Sequence, residues 1–109
     1  VFPNAQKIKI QAFAENSNLE TIIAPRCVEL REGAFQNCGQ LKTVKMQPIY
    51  LKSLVFSGTG ITYLNLPSVL RIDQYAFENL SQIRTLVVEN CEFIHKQAFV
   101  STFSQDRNY

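Results

Sequence analysis

Five phenylalanines, Phe13, Phe35, Phe56, Phe77 and Phe99, stand 22, 21, 21 and 22 residues apart. Each has an isoleucine or leucine five positions earlier: Ile8, Leu30, Leu51, Ile72 and Ile94. Such a period is the mark of a solenoid, in which each supersecondary unit buries its apolar side only by stacking on the next. The units read as 8–29, 30–50, 51–71 and 72–93, with a partial terminal unit over 94–109, all within one domain. Stacking places like residues over like, so the five rings are expected to form an internal spine.

The rest of each unit gives its local structure. Six residues after the phenylalanine comes Leu19, Leu41 or Ile83; the third unit is one residue shorter and supplies Ile61. Three positions on stand Ile22, Val44, Leu64 and Leu86, and two beyond those Ala24, Met46, Leu66 and Val88. A spacing of two is the strand period, so these pairs share one side of an extended segment. Thr21, Ile23, Thr43, Lys45, Tyr63, Asn65, Thr85 and Val87 must then point outward. Pro25 and Pro67, which cannot donate to a ladder, end two of the segments. One short strand per unit is predicted, in a parallel sheet, with a second extended stretch leading to each phenylalanine. The segments after the rings, such as 36–40 and 78–82, are short and rich in turn formers. They have room for one helical turn at most.

Phe2-Pro3 followed by Ala5 and Ile8 matches Ala24-Pro25, Cys27 and Leu30. The chain therefore reads as opening inside a repeat, as a piece of a longer array would. At the far end the pattern breaks down beyond Phe99, into a cap built with Phe103 and Tyr109 or into a frayed end.

Three cysteines cannot all pair within one chain. Cys27 and Cys91 occupy one repeat column three units apart, or roughly 14 Å at the spacing of strands. A disulfide needs α-carbons within about 7 Å, so that pair is excluded. Cys27–Cys38 is open on position alone, but buried free thiols are the simpler expectation for all three.

The pattern Leu30-Arg-Glu-Gly-Ala34-Phe35-Gln-Asn-Cys38-Gly-Gln-Leu41-Lys-Thr-Val44-Lys-Met46 resembles the BspA-type leucine-rich repeat, as does the stretch 72–88. The likeness covers residues 2 to 99 and departs from the family pattern at Val55, where alanine is usual, and at Leu80, where cysteine is frequent. It implies an α/β-type solenoid, predominantly β, with a parallel sheet on the concave face and short strands or turns on the convex side. It also implies a non-catalytic module that binds another protein, a host, matrix or surface protein, at the cell surface or after secretion. A spacer without a ligand of its own, or a cytoplasmic scaffold, is the alternative.

The residues bear on function in the same direction. The eight outward positions, with Glu20, Lys42, Thr62 and Arg84 beside them, form the expected protein-binding face. Within it Tyr63 and Ile23 resemble anchors in a polar surround. The scattered Lys and Arg, at a net charge of +2, include no run that would track a phosphate backbone, so nucleic acid is not an expected partner. No apolar stretch approaches the roughly 20 residues that span a bilayer, so direct membrane insertion is not expected. The one histidine, His95, has only Glu92 as a nearby carboxylate in sequence, and no Cys-x-x-Cys pair is present. An enzyme, a metal site or a cofactor is therefore not expected. Asn79-Leu80-Ser81 is a glycosylation sequon, used only if the chain passes through a eukaryotic secretory route; added glycan mass on native material would show it. Exposed parallel edges at the solenoid ends predict self-association there.

Overall fold

Short runs of β-branched and aliphatic residues punctuated by turn formers favour brief extended segments, and the chain forms two of them per unit. The structure, a computed structural model, describes residues 1–102. Its strands are β1 (Lys7–Ile8), β2 (Thr21–Ala24), β3 (Glu29–Leu30), β4 (Thr43–Met46), β5 (Tyr50–Leu51), β6 (Tyr63–Asn65), β7 (Arg71–Ile72), β8 (Thr85–Val87) and β9 (Phe93–Ile94). All pairings among them are parallel, as stacked units running the same way require. The predominantly β, leucine-rich-repeat type of solenoid is the fold observed, and the turns after the rings contain no helix among the described residues.

The ladders are distributed differently from the sequence expectation. The unbroken sheet is built from the two-residue strands at the Ile/Leu column, in the order β1-β3-β5-β7-β9. The longer strands form two separate pairs, β2-β4 and β6-β8, and no ladder joins β4 to β6. The break coincides with the third unit, whose turn is one residue short. There Gly60 packs so tightly under the second unit that a β-carbon would lie 2.4 Å from the Gly39 carbonyl oxygen.

Between the two strand faces lies the core. Phe35, Phe56 and Phe77 are fully buried, with Phe13 and Phe99 partly so. Ring centroids along the spine are 5.6, 5.7, 5.8 and 5.3 Å apart with planes within 13° of parallel. Phe2 tilts against Phe13 at 5.8 Å. Val55 and Leu80, the two departures from the family pattern, are both fully buried.

A device not visible in the sequence flanks each ring. Residues two before it (Gln11, Gly33, Leu54, Tyr75) and two after it (Glu15, Asn37, Gly58, Asn79, Ser101) adopt left-handed φ values of 52–70°. Around the first ring, Gln11, Phe13 and Glu15 donate their N–H groups to Glu32, Ala34 and Gln36 of the next unit. The intervening Ala12 and Ala14 donate back three residues within their own turn. Left-handed backbone costs about 1–2 kcal/mol for a residue with a β-carbon. These inter-unit bonds offset that cost, since an unpaired buried N–H would be more unfavourable still.

Cys27 and Cys38 are buried free thiols, so the Cys27–Cys38 bridge does not form. Cys38 Sγ donates to the Phe13 carbonyl at 2.9 Å, and Cys27 Sγ to that of Glu29 at 3.5 Å. Cys91 is only half-buried, as is Ala5 at the other end of its column, because among the described residues each has a column neighbour on one side alone. Burial pushes the Cys27 and Cys38 thiols above the ordinary value of 9.0. The folded chain then holds these protons when the unfolded chain releases them. Their contribution to stability is complete below pH 9.0 and falls as the pH rises further. Thiol titration of the native protein should modify Cys91 first and reach Cys27 and Cys38 only on unfolding. Equal rates at all three would contradict that burial.

Candidate protein-binding face

The outward residues of the longer strands are the first place to look for chemistry. Thr21 pairs in register with Thr43 and Ile23 with Lys45 across β2 and β4, while Tyr63 pairs with Thr85 and Asn65 with Val87 across β6 and β8. Thr21, Thr43, Lys45, Tyr63, Asn65 and Thr85 are exposed, and Ile23 and Val87 are half-buried. Tyr63, 57% exposed, is the most prominent aromatic side chain on this face.

The missing ladder between β4 and β6 changes this face from a flat sheet into a cleft of about 510 Å³. Thr43, Lys45, Tyr63 and Asn65 line it from the two facing strands. The other four predicted residues lie outside it, Thr21 and Ile23 on β2 and Thr85 and Val87 on β8. Lys42 braces the gap, its Nζ donating to the Gly60 carbonyl at 3.0 Å and to Gln82 Oε1 at 3.3 Å. One lysine side chain thus ties the second, third and fourth units together across the unpaired edges.

Sequence reasoning missed part of the lining. Val44 and Met46 belong by alternation to the inward side, yet both contribute to the wall, as do Pro25 and Gln47. The signal that would have found them is the one-residue shortening of the third unit. The lining carries Lys42 and Lys45 and no carboxylate, so the cleft is cationic as well as apolar.

Elsewhere the groups that would suggest catalysis are occupied with structure. His95 Nδ1 accepts the N–H of Gln97 at 3.0 Å, and Cys91 Sγ donates to the carbonyl oxygen of Phe93 at 3.3 Å. No group of His, Cys, Asp and Glu among the described residues could hold a metal ion. Asn79, the sequon residue, is exposed in the turn after Phe77 with φ of 58°. Its backbone N–H donates to the carbonyl of Val100.

The stacked rings, the parallel two-residue ladder and the Ala-Phe turns agree with one repeat family. The description "BspA type leucine rich repeat region (6 copies)" matches residues 6–106. The chain belongs to the BspA-type leucine-rich repeat family. Comparison with curated proteins and with solved structures returns no match. Leucine-rich repeats of this kind are generally protein–protein interaction modules and typically non-catalytic, and BspA-type repeats are commonly surface-associated. No helix among the described residues is long and apolar enough to cross a membrane.

Within the BspA-type repeat of this chain, the Ile/Leu strands present a second surface that the sequence reading did not single out. Val28, Ile49 and Leu70 stand in register one residue before the ladder, beside the exposed rings of Tyr50 and Phe93. Arg71 lies 4.3 Å from the Phe93 ring centre and Lys52 5.4 Å from that of Tyr50. The period of the Val/Ile/Leu column was there to be read, two positions before Leu30, Leu51 and Ile72.

Proposed function

We propose that this repeat segment is a non-catalytic adhesion or recognition module that binds another protein at a cell surface, with the partner seated in the β4/β6 cleft. The observation that supports the reading is the cleft itself. The shortened third unit opens it beside Tyr63, the exposed ring with polar neighbours that protein interfaces use as an anchor. Its volume accommodates a few side chains of a partner, and the half-buried Val44 gives those side chains apolar wall to cover. Thr21, Ile23, Thr85 and Val87 then serve as the flanks of the contact and keep water from its centre.

Binding of the chain to a panel of extracellular-matrix and host-surface proteins, with a Tyr63→Ala/Lys45→Ala variant alongside, tests the proposal. Loss of an anchor ring from an interface centre costs about 2 kcal/mol or more, so the variant should bind at least about 30-fold more weakly. Its circular dichroism should be unchanged, since both side chains are exposed. Equal binding by variant and parent would remove the cleft from the reading. The absence of any ligand for the well-folded chain would favour a spacer.

A further inference from the structure

The outer face of the five-stranded sheet carries a charge pattern that complements itself. In register along the ladder its outward residues are Lys7, Glu29, Tyr50, Arg71 and Phe93. Two residues further on stand Lys9, Arg31, Lys52, Asp73 and His95, and one residue before the ladder Gln6, Val28, Ile49, Leu70 and Glu92. Val28 and Glu29 both donate to the Gln6 carbonyl, as Glu92 and Phe93 both donate to that of Leu70. Such bulge-like pairing re-aims side chains, and here consecutive ones both face solvent. Val28, Ile49, Tyr50, Leu70 and Phe93 are 38–48% exposed, a contiguous apolar strip on a face rich in cations.

We infer that this face docks on the same face of a second copy of the chain, about a two-fold axis running along β5. That rotation reverses the order of the units and keeps the strand direction. Tyr50 then meets Tyr50 of the second copy, and Ile49 meets Ile49. Val28 covers Leu70, Glu29 meets Arg71, Arg31 meets Asp73, and Lys7 faces the Phe93 ring. Within one chain Glu29 already pairs with Arg31 at 3.6 Å, and Arg71 with Asp73 at 2.9 Å. Laying one pair on the other makes a square of alternating charge on each side of the axis. Networks of this kind contribute where isolated surface pairs do not. Lys52 alone meets its like, and its long stem can carry the ammonium to the rim.

A two-fold along the stacking direction satisfies the charges but not the apolar strip. It would set Glu29 on Arg31 and Arg71 on Asp73, yet lay Val28, Ile49 and Leu70 on Glu32, Ser53 and Gln74. The strip selects the axis along β5. The face spans four strand spacings, about 19 Å, so the contact lies below the roughly 1,200 Å² of a standard interface. The dimer is accordingly weak and reversible, populated towards about 1 mM protein.

Sedimentation equilibrium of the whole chain, alone and in mixtures, provides the test. Glu29→Lys and Arg71→Glu each set like charges against one another in a homodimer, and each should weaken association about 10-fold or more. Mixing the two variants restores both pairings and should restore the parent affinity. The introduced lysine of one copy then faces the introduced glutamate of the other, and the native Arg71 of the first faces the native Glu29 of the second. Arg31→Glu mixed with Asp73→Lys repeats the logic at the second pair, should either first variant fold poorly by circular dichroism. A parent chain monomeric at about 1 mM overturns the inference. So do variants that associate like the parent, which would point to the solenoid ends, and mixtures that stay as weak as their components, which would point to the other axis.

Discussion

Replacing Phe56 with alanine should lower the stability of this solenoid by about 3–5 kcal/mol, enough to unfold much of the chain under ordinary conditions. The ring is fully buried and has a stacked neighbour on each side, Phe35 at 5.7 Å and Phe77 at 5.8 Å. Its removal therefore forfeits two ring contacts, worth about 0.5–1.5 kcal/mol each beyond the area buried, and leaves a cavity in mid-stack. In a repeat protein stability is carried by contacts between neighbouring units, so damage at the third unit uncouples the first two from the last two. Phe13→Ala should cost clearly less, because that ring is only half-buried and its neighbour Phe2 is tilted and exposed. Urea denaturation of the two variants reads the difference. Equal losses would mean that the rings act as independent hydrophobes and not as a coupled spine.

The spine was legible because the units repeat the same few choices: Ile/Leu in all five, then alanine before the ring in all but the third. Five examples of one column leave little freedom in aligning them. Tyr63 was legible for a related reason, since alternation about Leu64 assigns it to solvent. The left-handed positions were not legible, because only Gly33 and Gly58 of the nine are glycine. Gln11 and Tyr75 adopt a conformation their own chemistry disfavours, held there by N–H bonds to the Glu32 and Gln97 carbonyls of the next unit. The ladder break was half-legible. The missing residue between Phe56 and Ile61 was plain, but its effect depends on how closely the turns stack, which only the structure reveals. Val28, Ile49 and Leu70 were overlooked because aliphatic columns in a solenoid suggest core, and here all three stand exposed one residue before the ladder.

The shortened turn leads to the second large effect. Gly39 and Gly60 occupy the same place in consecutive units, and sequence treats them alike. Their surroundings do not. A β-carbon on Gly39 would meet nothing within 4 Å, whereas one on Gly60 would lie 2.4 Å from the Gly39 carbonyl oxygen and 3.1 Å from Lys42 Nζ. The lysine end can swing away. The carbonyl is backbone and cannot move without parting the two turns. Gly60→Ala should therefore destabilise the chain by about 2–3 kcal/mol, the upper part of the range for forced overpacking, while Gly39→Ala stays within about 0.5 kcal/mol. The consequence reaches the candidate site. Gly60 supplies the carbonyl that Lys42 grips, and it leads into β6, which forms one wall of the cleft. Parting the turns would loosen that grip and shift Tyr63 relative to Lys45. Gly60→Ala is thus expected to weaken partner binding as well as stability, and Gly39→Ala to spare both. Thermal unfolding of the two variants, paired with the binding assay of the Tyr63→Ala/Lys45→Ala variant, separates the effects. Undiminished binding by folded Gly60→Ala protein would show that the close stacking of these turns does not shape the site.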